Sequence, residues 1–144
     1  MPEAPDPIEL AARALRHRDR SRRQLDERLE RAGVDEERRA AALETLERVG
    51  YVDDSRFAVE RAAALAGRGY GDEAIGHLLA ADGVAAEVAE AAVKALAPER
   101  ERAGAIARGA GSSAKTAGKL LRKGFGAETV EAVLEAFADV GPEA

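Results

Sequence analysis

Apolar positions along this chain recur at the three- and four-residue spacing of amphipathic helices, and no stretch alternates with the period of two that marks a half-buried strand. Three landmarks punctuate the pattern. Gly33-Val34, Gly83-Val84 and Gly124-Phe125 each read as a helix C-cap, where glycine takes the left-handed conformation cheaply and the next apolar residue folds back on the helix. Aligned on these glycines, the flanks agree. Twelve residues upstream stand Ser21, Gly71 and Ser112 as N-cap positions, and Ser21 with Gln24 has capping-box spacing. Leu29, Leu79 and Leu120 come four residues before the glycines. Downstream, Leu43, Val93 and Leu134, then Leu46, Leu96 and Phe137, mark one face of a following helix, while Leu15, Leu65 and Ile106 lie inside a preceding one.

One unit is therefore a first helix, a short second helix ended by glycine, and a third helix. The pattern predicts an all-α fold of three tandem three-helix repeats in an elongated array. The expected units are residues 6–50, 51–97 and 98–140, between a disordered N-terminus at 1–5 and a tail at 141–144. Spacings of 50 and 41 residues between the landmark glycines fall in the range of helical repeats. Helices this short are marginal alone, so each must bury its apolar stripe against its neighbours. The third copy departs most: Thr116 replaces Leu25 and Ile75, and Gly104, Gly109, Gly111 and Gly118 predict the most mobile unit.

Composition sharpens this picture. Of the 144 residues, 34 are Ala, which leaves few bulky side chains for one large core and suits small helical units. The absence of Cys excludes disulfides and thiolate metal sites. No apolar run approaches the roughly 18 to 20 residues of a membrane span, and the start carries no signal-peptide core, so a cytoplasmic protein is expected. The formal net charge is -5, but charge is segregated. Residues 13–31 carry eight Arg against four acids, and residues 102–124 carry six basic groups and no acid; only the middle unit is acidic.

The junction of the first two units reads GYVDDSRFA, from Gly50 to Ala58. Gly50 ends a helix, and Asp53 or Asp54 caps the next, its charge suiting the helix dipole. Tyr51, Val52 and Phe57 are expected to pin the two units as a hydrophobic clamp. With Arg20-Ser21 followed by Leu25 and Leu29, and with RGYGDEAIGHLLAADGV from Arg68 to Val84, this segment resembles the RecX family of regulatory proteins. Tyr51, Asp53, Asp54, Arg56, Phe57 and Ala58 match its signature, and Gly69, Gly71, Ile75, Leu79 and Gly83 match the framework of its next block. The middle unit departs from the family where Asp72, Glu73, Gly76, Leu78 and Asp82 stand, several of them in places commonly basic or Pro.

The resemblance implies a non-enzymatic regulator that binds the RecA recombinase filament on single-stranded DNA, and a monomer is expected. Binding in the filament groove would impede ATP hydrolysis, strand exchange and cleavage of the SOS repressor. Candidate contacts to acidic filament surface or DNA phosphate are Arg16, Arg18, Arg20, Arg22, Arg23, Arg56, Lys115, Lys119, Arg122 and Lys123. The four on the third unit share one helical stripe with no acid among them, whereas acids interleave with the first-unit Arg. A helical module making weak, unspecific phosphate contacts to single- or double-stranded DNA is the alternative. The third helices lack readout residues and the scattered aromatics form no stacking platform, which argues against sequence-specific recognition. Catalysis fits worst. His17 and His77 lie far apart without matching carboxylates, His77 being expected on a helix and partly buried, and ARGAGSSAKTAGKLL lacks the order of a phosphate loop. No cofactor, metal or membrane partner is expected.

Overall fold

The computed structural model describes residues 5–111 and 114–138. Ser112, residues 1–4 and the tail at 141–144 lie outside them. The helices are α1 (Pro7–His17), α2 (Arg22–Arg31), α3 (Glu36–Arg48), α4 (Asp54–Gly67), α5 (Asp72–Ala81), α6 (Ala86–Lys94), α7 (Glu99–Ala110), α8 (Ala114–Arg122) and α9 (Ala127–Ala138). The fold is all-α, a tandem run of three three-helix units, with no strand among the described residues. None of these helices is long and apolar enough to cross a membrane.

The three landmark glycines form the same C-cap. Gly33, Gly83 and Gly124 have φ of 88°, 93° and 88°. The amide after each bonds back to the carbonyl of Leu29, Leu79 or Leu120, at 3.1 Å in every copy. This satisfies carbonyls that a helix end leaves without partners. Each unit then closes its own small core. Leu25, Leu29, Leu43 and Leu46 centre the first, Phe57, Leu65, Ile75 and Leu79 the second, and Leu120, Phe125, Val130 and Val133 the third. Buried alanines such as Ala11, Ala62 and Ala103 let the first helix of each unit approach the others closely.

Three expectations are corrected. Tyr51 does not pin the first two units: it is 64% exposed, while Val52 belongs to the first core and Phe57 to the second. No shared hydrophobic clamp forms, because each apolar side chain has a nearer core on its own side. The Val93/Leu96 pair is not one helical face, since α6 stops at Lys94 and Leu96 lies in the turn before Pro98. A residue preceding proline is pushed out of the α region, and the helix ends early. His77 is exposed rather than partly buried, its ring beside Glu73 on the outer face of α5.

The units are joined by helix ends instead, and the joint repeats. At the first joint the hydroxyl of Ser21, the N-cap of α2, donates to the Asp82 carbonyl, and the Arg23 guanidinium donates to that of Ala81. The amide of Arg22 donates to the Asp54 carboxylate at 2.8 Å. At the second joint the amide of Gly71 donates to the Lys123 carbonyl at 2.8 Å, and that of Asp72 to the Glu99 carboxylate at 2.8 Å. Each second helix thus rests its N-terminus on the C-cap of the next unit's second helix. It also takes a carboxylate from the first residue of the next unit's first helix, which neutralises the positive end of its dipole. The series stops at unit one, where Pro7 begins α1 and Gly33 faces open space.

Ser21 is wholly buried and completes a capping box with Gln24. Replacing it with alanine removes the cap and the bond to Asp82 together. Urea denaturation of Ser21→Ala should show a loss of about 1.5 kcal/mol. A loss below about 0.5 kcal/mol would mean that the joint does not use this hydroxyl.

Candidate partner-binding surface

Three of the five candidate Arg of the first unit are occupied by the fold. Arg22 pairs with Glu47. Arg23 reaches the Ala81 carbonyl and lies 3.5 Å from Glu27. Arg20 is half-buried and donates to the Ala14 carbonyl at 3.3 Å, and burial, with the Arg18 and Arg28 charges, lowers its pKa. Of the candidates, Arg16 and Arg18 are exposed without an ion pair among the described residues, as are Arg28, Arg31, Arg38 and Arg48 of the same unit.

The signature segment is built into the first joint. Asp53 is the N-cap of α4 and accepts from the amide of Arg56 at 3.1 Å, while Asp54 reaches across to α2. Arg56 donates to Asp19 at 3.3 Å and to the carbonyls of Gly50 and Tyr51 at 2.9 and 3.2 Å. The bond to Asp19 is the main cause of its raised pKa. Gly50 and Gly69 take the positive φ their turns require, Ala58, Ile75 and Leu79 are fully buried, and Gly83 lies against Arg23. Every role seen here is structural. Arg102 is the counterpart of Arg56 at the second joint, bonded to Asp72 at 2.7 Å and to the carbonyls of Ala97 and Tyr70 at 3.2 and 3.0 Å. Sequence reasoning missed Arg102 and Glu99: aligned on Gly83 and Gly124, Asp54 and Arg56 fall on Ala95 and Ala97, so the shorter spacing of the third unit hides both.

The third unit differs. Lys115, Lys119 and Arg122 are exposed on α8, with exposed Leu121 beside them, and none forms an ion pair among the described residues. Lys123 is half-buried, its ammonium 4.3 Å from the Tyr70 ring centre. Arg68, which sequence reasoning passed over, approaches the same ring at 5.7 Å. The fold therefore brings the α8 cations together with a cation of the middle unit. It does not bring them to the first-unit Arg, which gather at the other joint. Among the described residues no cluster of His, Asp and Glu could hold a metal ion.

No family model matches the chain. Over 55 residues, 38% of its length, the chain is 46% identical to the regulatory protein RecX of two strains of Acidithiobacillus ferrooxidans; the match spans 37% of the length of those curated relatives. Its fold is that of the crystal structure of RecX from Lactobacillus salivarius, with a TM-score of 0.81 at 16% identity over 92% of this chain and 94% of that one. A second crystal structure of a regulatory protein RecX matches with a TM-score of 0.77 at 18% identity, over 90% and 71% of the two chains. Over the matched segment the chain resembles the RecX regulatory proteins, and its fold is the one seen in the RecX crystal structures.

Proposed function

We propose that this protein is a non-enzymatic regulator that binds the RecA recombinase filament on single-stranded DNA and lowers its ATPase, strand-exchange and coprotease activities. The single observation that carries the reading beyond family likeness is the face of α8, where Lys115, Lys119 and Arg122 stand exposed and without an ion pair among the described residues. Of the other candidates, Arg20, Arg22, Arg23 and Arg56 are held by contacts within the fold, so this helix face carries the largest group of candidate cations without an ion pair. Three linked units can touch successive subunits of a filament, and linked contacts raise avidity without any single strong site.

ATP hydrolysis by the cognate recombinase on single-stranded DNA tests the proposal. Stoichiometric protein should reduce the rate; an unchanged rate, with the filament formed, defeats it. Reversing Lys119, Arg122 and Lys123 to Glu should raise the half-inhibitory concentration tenfold or more, about 1.4 kcal/mol in binding. Unchanged potency rejects this surface. The same cations favour a second reading, direct contact with DNA phosphate. A phosphate binder must lose affinity steeply with salt, so a flat salt titration excludes it.

A further inference from the structure

The two joints between units each leave a groove, and the repeat makes the grooves comparable. The first, about 440 Å³, is lined by Arg18, Asp19, Gln24, Phe57, Glu60, Arg61 and Asp82. Two of its acids are already engaged: Asp82 accepts from Arg61 at 3.1 Å and Gln24 at 3.2 Å, and Asp19 holds Arg56. The second, about 160 Å³, is lined by Arg68, Gly69, Ile106, Lys119, Leu120 and Lys123. Repeat alignment sets Arg68 opposite Arg18, Gly69 opposite Asp19 and Lys123 opposite Asp82. Three acids, Asp19, Glu60 and Asp82, line the first groove, and none lines the second. Three cations remain around an apolar floor, with no carboxylate to neutralise them.

We propose that this second groove, between the α4–α5 turn and α8, docks an acidic, aliphatic segment of a partner protein, and that the first groove does not. The inference deepens the reading of α8 as the partner-binding face and rests on it. Three features favour a protein over a nucleic acid. Ile106 and Leu120 form the floor, and Leu121 stands 51% exposed on the next position of α8, which gives apolar surface that a phosphodiester backbone cannot use. The cavity has room for about one side chain. The Tyr70 ring already has Lys123 and Arg68 at cation–π distance, so a base must displace a cation to stack there. Carboxylates approaching from a partner would meet Arg68, Lys119 and Lys123 together, while an aliphatic side chain covers Ile106 and Leu121.

The chain has two Tyr and no Trp, which supplies a reporter. In full-length Tyr51→Phe protein, Tyr70 becomes the sole tyrosine. Its fluorescence should change saturably with a synthetic amphipathic peptide of Glu and Leu. A peptide with Ser in place of Leu should bind at least threefold more weakly. Combining Arg68→Ala with Lys123→Gln should weaken the Glu/Leu peptide tenfold or more, whereas Arg18→Ala should leave it unchanged; urea denaturation checks that both variants fold. The proposal is overturned if the peptide does not bind, if the double change leaves its affinity intact, or if oligothymidylate saturates the signal and the peptide does not. Recombinase inhibition by the same Tyr51→Phe protein separates the two readings. Inhibition without peptide binding removes the groove proposal alone, and absence of inhibition removes the function.

Discussion

Replacing Gly71 with alanine should cost about 3 kcal/mol of unfolding stability and loosen the third unit from the second. A Cβ at this position would stand under 3.0 Å from the carbonyl of Gly124 and the amide of Phe125. Both are backbone atoms of a helix cap, so no side chain can swing away to make room. The opposing Gly124 is equally confined, because its own Cβ would meet Ala74 and its φ of 88° already excludes most residues. The added methyl must push the units apart, which breaks the 2.8 Å bond from the Gly71 amide to the Lys123 carbonyl. Gly76 provides the signed control. It lies within α5 with nothing within 4 Å of a built Cβ, so Gly76→Ala should stabilise by about 0.5–1 kcal/mol through helix propensity. Urea denaturation followed by circular dichroism and Tyr70 fluorescence measures both. Equal effects at the two glycines would show that the close approach is not a constraint.

Glu99 should be the next most sensitive position. Burial pushes its carboxyl up, but hydrogen bonds from the amides of Gly126 and Asp72 and from the Thr129 side chain, together with the Arg102 charge, outweigh burial and hold the pKa below the ordinary glutamate value. The two amide bonds measure 3.0 and 2.8 Å. They tie the starts of α9 and α5 to the start of α7, so one carboxylate serves two helix ends across a joint. Glu99→Ala leaves both amides short of a partner and takes a negative charge away from the neighbourhood of Arg102, and should cost about 2–3 kcal/mol. Glu99→Gln keeps the shape and should cost less. Because the folded pKa is depressed, this stabilisation is fully present above the unfolded value of about 4.3 and is lost as pH falls through the folded pKa. The stability difference between wild type and Glu99→Gln should accordingly shrink below about pH 4. A difference that is constant from pH 7 to pH 3 would show that the charge plays no part.

Much of the architecture is legible in local sequence because its determinants are local. The left-handed caps at Gly33, Gly83 and Gly124 and the box at Ser21 need only a few consecutive residues, and each is found where the pattern sets it. The repeat itself follows from aligning those caps. Tyr51 shows where local reading stops: in sequence it is one more apolar residue at a junction, and only the position of two separate cores leaves it in solvent. Gly71 is similar. It stands in an N-cap register, yet it makes no side-chain cap bond, and the need for glycine comes from the Gly124 backbone 53 residues away.

The candidate surface divides in the same way. The basic runs at residues 13–31 and 102–124 are plain in the sequence, as is the lack of acids in the second. Which of those charges stay available is not, since that depends on partners from distant segments: Glu47 for Arg22, the Ala81 carbonyl for Arg23 and Asp72 for Arg102. Arg68 and Tyr70 join Lys123 only because the second joint brings α8 against the α4–α5 turn. The sequence alone determined the helices, their caps, the threefold repeat and the sign of each charged run, all governed by neighbours within a turn or two. Tertiary structure decided how the units meet, which cations are neutralised and which groove stays open, because ion pairs and close backbone approaches depend on distance in space.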